Sequence, residues 1–131
     1  MEKVVKSEKQ WKAELDADSY RVLRESGTEA AFSGEYDHFK SKGKFKCKAC
    51  GLNLFDSDSK FDSGCGWPAF SDVSESKNVK LLSDNSHGMK RVEVRCARCD
   101  SHLGHVFDDG PKEKGGKRYC INSCSLGFEK A

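Results

Sequence analysis

No apolar run in this chain approaches the roughly 20 residues needed to cross a bilayer as a helix. The charged start from Met1 to Gln10 has no hydrophobic stretch behind it, so neither a membrane span nor a secretory leader is expected. Excess charge of one sign is also missing. The 23 Lys and Arg residues face 21 Asp and Glu, a formal balance of +2, and four metal-bound thiolates around one divalent ion would bring it to about zero. Nucleic acid and anionic membranes are therefore not expected partners. There is no glycine-rich dinucleotide motif, which argues against a bound nicotinamide or flavin. Beyond a doubled cysteine pair there is no internal repeat, and low-complexity tracts and a convincing interdomain linker are absent too. A length of 131 residues buries one modest core, so a single domain over 1–131 is expected, with a helical segment to about residue 30 and a β core over 31–131. The expectation is a monomer in the cytoplasm, or in an organelle where a targeting segment has been removed.

What the chain has in quantity is cysteine. Seven cysteines would leave one over in a pure disulfide framework, so metal binding or catalysis explains them better.

Residues Gln10 to Glu25 set Trp11, Leu15, Val22 and Leu23 among charges without Gly or Pro, which predicts one or two short helices closed by Gly27. From Ala31 onward, short alternating runs separated by Gly, Asn, Asp and Ser predict a mainly β fold: a small antiparallel, barrel-like sheet domain. Between Lys40 and Lys48 every even position is lysine, a solvated face that sends Phe45 and Cys47 the other way. Between Lys90 and Cys96 the inward face is Val92, Val94 and Cys96. Over Arg118 to Ser125, Arg118, Cys120, Asn122 and Cys124 share one face of an expected strand. Lys112 to Lys117 reads as an exposed loop.

Cys47-Lys-Ala-Cys50-Gly51 and Cys96-Ala-Arg-Cys99 each hold two thiols at the spacing with which a tight turn aims both sulfurs at one ion. Together they predict a tetrahedral Cys₄ zinc site, one ion per chain, structural because it has no open position. Gly51 suits a backbone conformation that other residues adopt only with strain. A thiol–disulfide centre in either pair lacks the βαβ setting that lowers the thiol pKa in such motifs. Chemistry then falls to Cys65, Cys120 and Cys124.

Three segments surround those thiols: Phe61-Asp-Ser-Gly-Cys65-Gly-Trp67-Pro-Ala-Phe70, Ser101-His102-Leu-Gly-His105-Val-Phe-Asp-Asp109-Gly-Pro111, and Arg118-Tyr-Cys120-Ile-Asn122-Ser123. With both cysteine pairs, in the same order, they make the chain from about Tyr20 to Phe128 resemble the B-type methionine sulfoxide reductases. The resemblance implies that Cys120 is the nucleophile on the sulfoxide sulfur and Cys65 the thiol that resolves its sulfenic acid as a disulfide. It also implies oxidised proteins carrying methionine-R-sulfoxide as substrate and a thioredoxin-like reductant as partner.

Beside the resemblance, the residues support particular roles. Arg118, on the face of Cys120, would lower its pKa. Histidine titrates near the working pH, and the resemblance implies His105 as main proton donor and His102 as its support; both reach one site only if the chain bends near Leu103-Gly104. Asn122 would offer its amide to substrate or a water, and Trp67 an apolar wall for the sulfoxide methyl group. Asp109 is placed to orient a histidine.

Cys124 departs from the family pattern. On a continuous strand it would lie about 13 Å from Cys120, beyond the about 7 Å that a disulfide spans between Cα atoms. A zinc-ribbon-like module binding RNA or protein is the rival from another class, supported by the lysine-rich strand but leaving these cysteines and histidines unexplained.

Overall fold

The computed structural model describes residues 1–131, the side chain of His87 apart. Two short helices lead the chain. Helix α1 (Glu8–Glu14) opens on a capping box: the Gln10 N–H donates to Ser7 Oγ while Gln10 Oε1 accepts from the Ser7 N–H, which satisfies two donors that a helix start otherwise leaves bare. Helix α2 (Ala17–Arg24) begins where Asp16 accepts the Ser19 N–H at 2.8 Å. This second cap divides the expected helical stretch in two. Trp11, Val22 and Leu23 are fully buried or nearly so, and Arg24 stacks its guanidinium 4.8 Å from the centre of the Trp11 ring.

The remainder is antiparallel β-structure, as the alternation predicts. One three-stranded sheet is ordered β2-β1-β9, from β1 (Gly43–Cys47), β2 (Asn53–Asp56) and β9 (Leu126–Lys130). The other has six strands in the order β3-β4-β8-β7-β6-β5: β3 (Lys60–Phe61), β4 (Ala69–Phe70), β5 (Val79–Asp84), β6 (Arg91–Cys96), β7 (His102–Phe107) and β8 (Arg118–Ile121). The core is aromatic. Phe55 stacks on Phe70 with ring centres 4.3 Å apart, and Phe45 meets Phe70 edge-on at 5.1 Å, arrangements the ring quadrupole favours.

Phe45, Cys47, Val94 and Cys96 are buried as their alternation requires. Val92, expected on the same inward face, is 38% exposed near the outer edge of the sheet. The opposite face of β6 is not a solvent face, because Glu93 is buried there against His102. The segment 112–117 is the expected exposed loop and ends on Gly115 and Gly116, both at positive φ.

The expected strand from Arg118 to Ser125 stops at Ile121. A 3-10 turn over Ser123–Ser125 follows, then β9. The turn is held from several sides: the Ser125 N–H donates to the Asn122 carbonyl, Ser125 Oγ to the His102 carbonyl, and the Tyr36 N–H to Ser123 Oγ. These long-range hydrogen bonds outweigh the local alternation, and they take Cys124 off the strand face that Cys120 occupies.

Candidate active site

The four paired cysteines converge. Cys47 and Cys99 sulfurs lie 3.6 Å apart, Cys50 and Cys96 sulfurs 3.5 Å apart, and all four lie within 4.8 Å of one another. An ideal tetrahedral zinc thiolate places its sulfurs about 3.8 Å apart, so the donor set and its spacing fit one metal ion with no open position. Each turn repeats one geometry. The Gly51 N–H donates to the Cys47 carbonyl and the Asp100 N–H to that of Cys96, and both residues sit at positive φ, 81° and 66°. Gly51 was legible in the sequence; Asp100 performs the same turn without being glycine. Arg24 Nη1 donates to the Cys99 carbonyl at 2.8 Å, which ties α2 to the second turn. The cluster joins the β1–β2 hairpin to the β6–β7 hairpin.

The other site lies on the six-stranded sheet. Register places Cys120 of β8 opposite His105 of β7 on one side and Ala69 of β4 on the other. Between β6 and β7, Val94 pairs with Gly104 and Arg95 with His102, so Leu103 is an extra residue bulged out of register. A bulge re-aims side chains, and this one is the bend that two histidines three apart require. Their rings stand 5.5 Å apart. Gly104 is forced here, since a Cβ would lie 2.1 Å from the Cys120 carbonyl oxygen.

Cys65, between Gly64 and Gly66 at φ 74° and 94°, brings its sulfur to 3.4 Å from that of Cys120. A cavity of about 260 Å³ opens above the pair, lined by Trp67, His105, Phe107, Arg118 and Asn122. Burial and the adjoining Cys65 push the Cys120 thiol up to about 12, with Arg118 acting against them. The expected lowering by Arg118 is thus real in direction and outweighed in size, because burial penalises a thiolate more than one partly exposed cation favours it. Cys65 moves the other way. Burial would raise it, yet hydrogen bonds from its own loop and from Cys120 hold it below the ordinary thiol value. The two thiols are thus shifted apart, and Cys65 is the more readily ionised of the pair.

Carboxylates that the sequence reading did not single out hold both histidines. His102 Nδ1 donates to Glu93 Oε2 at 2.6 Å, and His105 Nε2 to Asp84 Oδ2 at 2.7 Å. Burial lowers the pKa of His102, and Glu93 only partly offsets it. Asp84 is held well below the usual carboxylate range by Ser86 and His105. Asp109 does not orient a histidine. It grips Arg118 with both oxygens, at 2.8 and 3.2 Å, while the guanidinium lies 4.4 Å from the centre of the Phe107 ring. Asp109 therefore acts on the site through Arg118.

Asn122 is also placed differently from its expected use. Its Nδ2 donates to the Leu103 carbonyl and its Oδ1 accepts the Glu29 N–H, so most of its hydrogen-bonding capacity holds the bulge and the 28–29 loop. Glu29 is the other unanticipated residue. Its carbonyl accepts Trp67 Nε1 at 3.1 Å, and its carboxylate accepts the Cys124 N–H at 2.9 Å. It fixes the indole from one side and the turn from the other. No periodicity or motif signals a residue whose partners lie 38 and 95 positions away.

The SelR domain family model matches residues 15–130 of the chain. The chain is 59% identical over 128 residues to the peptide methionine sulfoxide reductase MsrB of Methanosarcina mazei, covering 98% of this chain and 91% of that protein. It is 57% identical over 123 residues to the probable methionine-R-sulfoxide reductase B of Caenorhabditis elegans, covering 92% and 80%. Among solved structures, the Mis18 Yippee-like domain superposes with a TM-score of 0.54 at 20% identity over 69% of this chain and 97% of that one, a likeness of fold alone. The chain belongs to the SelR family, that of the B-type methionine sulfoxide reductases.

Proposed function

We propose that this protein reduces methionine-R-sulfoxide in oxidised proteins to methionine, with Cys120 as nucleophile, Cys65 as resolving thiol and a thioredoxin-like protein as reductant. The observation that carries the reading is the 3.4 Å approach of the Cys65 and Cys120 sulfurs beneath a cavity that His105 lines. A sulfenic acid formed on Cys120 would have its partner thiol already at hand.

The chemistry balances in three steps. Cys120, its proton moved to Cys65 or His105, attacks the sulfoxide sulfur. The oxygen takes a proton, and methionine leaves Cys120 as a sulfenic acid. Cys65 then attacks that sulfur, expelling water and forming the Cys65–Cys120 disulfide. A dithiol supplies two electrons and two protons to restore both thiols. His105 is the group we assign to move the proton, since its Nε2 is committed to Asp84 and its ring lines the cavity. His102 and Glu93 support it from behind. The Trp67 indole, fixed through Glu29, supplies a rigid apolar wall against which one sulfoxide epimer fits better than the other. Arg118, gripped by Asp109, faces the thiols and offsets their negative charge.

Cys47, Cys50, Cys96 and Cys99 would hold one zinc ion in a structural role, binding two hairpins into the single domain proposed for residues 1–131. Among the described residues no helix is long and apolar enough to cross a membrane. A monomer working in the cytoplasm, or in an organelle supplied with thioredoxin, fits the scheme.

The deciding experiment presents the purified protein with peptides carrying the separate R and S sulfoxides and dithiothreitol. Methionine should form from the R epimer alone. Equal rates on both epimers, or none on either, would overturn the proposal.

A further inference from the structure

Phe32 combines features that its burial and packing do not explain. Its side chain is 65% exposed, and its backbone lies at φ 64°, in the left-handed region that side-chain-bearing residues seldom occupy. Among the described residues only two other non-glycine residues, Ser26 and Asp100, have positive φ, and Asp100 belongs to a metal-binding turn. A backbone held this way persists only where its surroundings impose it, and such positions concentrate at functional surfaces.

The surroundings here are the Cys65 loop. The Phe32 N–H donates to the Gly66 carbonyl at 2.7 Å, one residue beyond Cys65. A Cβ placed on Gly66 would lie 3.1 Å from two ring atoms of Phe32 and 2.8 Å from the Ala31 Cβ. The aromatic ring thus rests on the glycine that follows the thiol, and no other residue fits beneath it. Ala31, and Asp62, Ser63 and Gly64 of the Cys65 loop, are all exposed. Phe32 does not line the cavity that holds Trp67 and His105. It stands outside that cavity, against Gly66 of the Cys65 loop.

We propose that Phe32 is the apolar anchor on which a protein dithiol docks to reduce the Cys65–Cys120 disulfide. The inference rests on the function proposed above, in which Cys65 is the resolving thiol. Exchange needs a thiolate of the reductant to attack along the S–S axis. Of the two sulfurs, Cys65 is the less buried, so the approach is from the 62–66 loop. There the partner thiolate bonds to Cys65 Sγ as the bond to Cys120 breaks, and Cys120 takes up the electron pair and then a proton. The partner's second thiol displaces Cys65 as a thiol and closes the partner's own disulfide. A protein that brings its sulfur to this loop covers the neighbouring surface, where Phe32 is the large apolar side chain. At such contacts a few anchoring side chains, aromatics prominent among them, carry most of the binding energy. A small thiol needs no such surface.

The test compares two reductants for the same protein on the same R-sulfoxide peptide: thioredoxin, kept reduced by its reductase and NADPH, and dithiothreitol. Phe32→Ser and Phe32→Gly should raise the KM for thioredoxin about tenfold, and Phe32→Tyr, which keeps the aromatic face, should not. Turnover with dithiothreitol should stay within about twofold for all three variants. Phe32→Gly should not lower the melting temperature, because glycine takes the left-handed backbone without strain. An unchanged KM for thioredoxin in both Phe32→Ser and Phe32→Gly would overturn the assignment. So would an equal rise in the KM for the peptide with dithiothreitol as reductant, which would make Phe32 a substrate contact. Failure of the unmodified protein to turn over with dithiothreitol would instead bring down the proposed function and the docking site with it.

Discussion

His105 of β7 donates its Nε2 proton to Asp84 Oδ2 of β5 across 2.7 Å, reaching over β6 to a strand 21 residues earlier in the chain. Arg91 approaches the same oxygen at 3.4 Å. Ser86 and His105 hold Asp84 well below the usual carboxylate range, so its carboxylate is the acceptor at Nε2, and the proposed reaction assigns the proton transfer to Nδ1, the other ring nitrogen.

Asp84→Asn should therefore lower kcat about 10- to 100-fold, with the peptide KM moving less than about threefold. The amide can still accept the Nε2 hydrogen bond but no longer stabilises the imidazolium. His105→Asn should cost more, and the double variant no more than His105→Asn alone, since the two act as one unit. Steady-state kinetics with dithiothreitol would show this. A change confined to KM would assign Asp84 to binding.

Cys65→Ser should release about one methionine per chain and then stall with thioredoxin, and dithiothreitol should relieve the stall by reaching the sulfenic acid directly. Cys124→Ser should turn over nearly normally. Its backbone N–H is bound to Glu29 on the turn after β8, and burial together with Glu29 pushes its thiol up to about 11, so little thiolate is available for exchange. Mass mapping of substrate-oxidised protein checks both expectations. A Cys120–Cys124 link, with thioredoxin turnover surviving in Cys65→Ser, would reverse them.

The pH at which Cys120 is alkylated should fall in Cys65→Ser. Burial still opposes ionisation there, but the neighbouring thiolate that also raises Cys120 is gone. Arg118→Ala should move the midpoint upward, because it removes the cation that acts against burial. Iodoacetamide labelling across the alkaline range, followed by peptide mass analysis, reads both shifts. An unchanged midpoint in Cys65→Ser would mean that Cys65 does not raise the Cys120 thiol.

About one zinc per chain should be found by elemental analysis. Serine at Cys47, Cys50, Cys96 or Cys99 should release the metal and lower the melting temperature by several degrees or more, as metal binding and folding are coupled. Folded, active protein free of zinc would exclude the metal role.

Local chemistry made part of this protein legible in advance. The two Cys-x-x-Cys turns are each formed within four or five residues, so their spacing alone announced a metal-binding cluster. Alternation over β1 and β8 likewise aimed Cys47 inward and put Cys120 and Arg118 on one face, because strand direction has a period of two. The bend at Leu103-Gly104 followed from the need to turn two histidines to one side.

Tertiary structure decided the rest. Asp84 and Glu93 reach the histidines from β5 and β6, and that choice depends on which strands lie side by side. Asn122 and Glu29 hold the backbone where an open hand to substrate was expected for Asn122 and nothing for Glu29. The extension of β8 to Ser125 lost to hydrogen bonds with His102, Tyr36 and Glu29, all distant in sequence. Cys120 was expected to ionise readily beside Arg118, but its burial and the placement of Cys65 decided otherwise. Periodicity reports only which way a side chain leaves its own strand; which distant group meets it, and how much water remains around it, are set when the whole chain closes on its core.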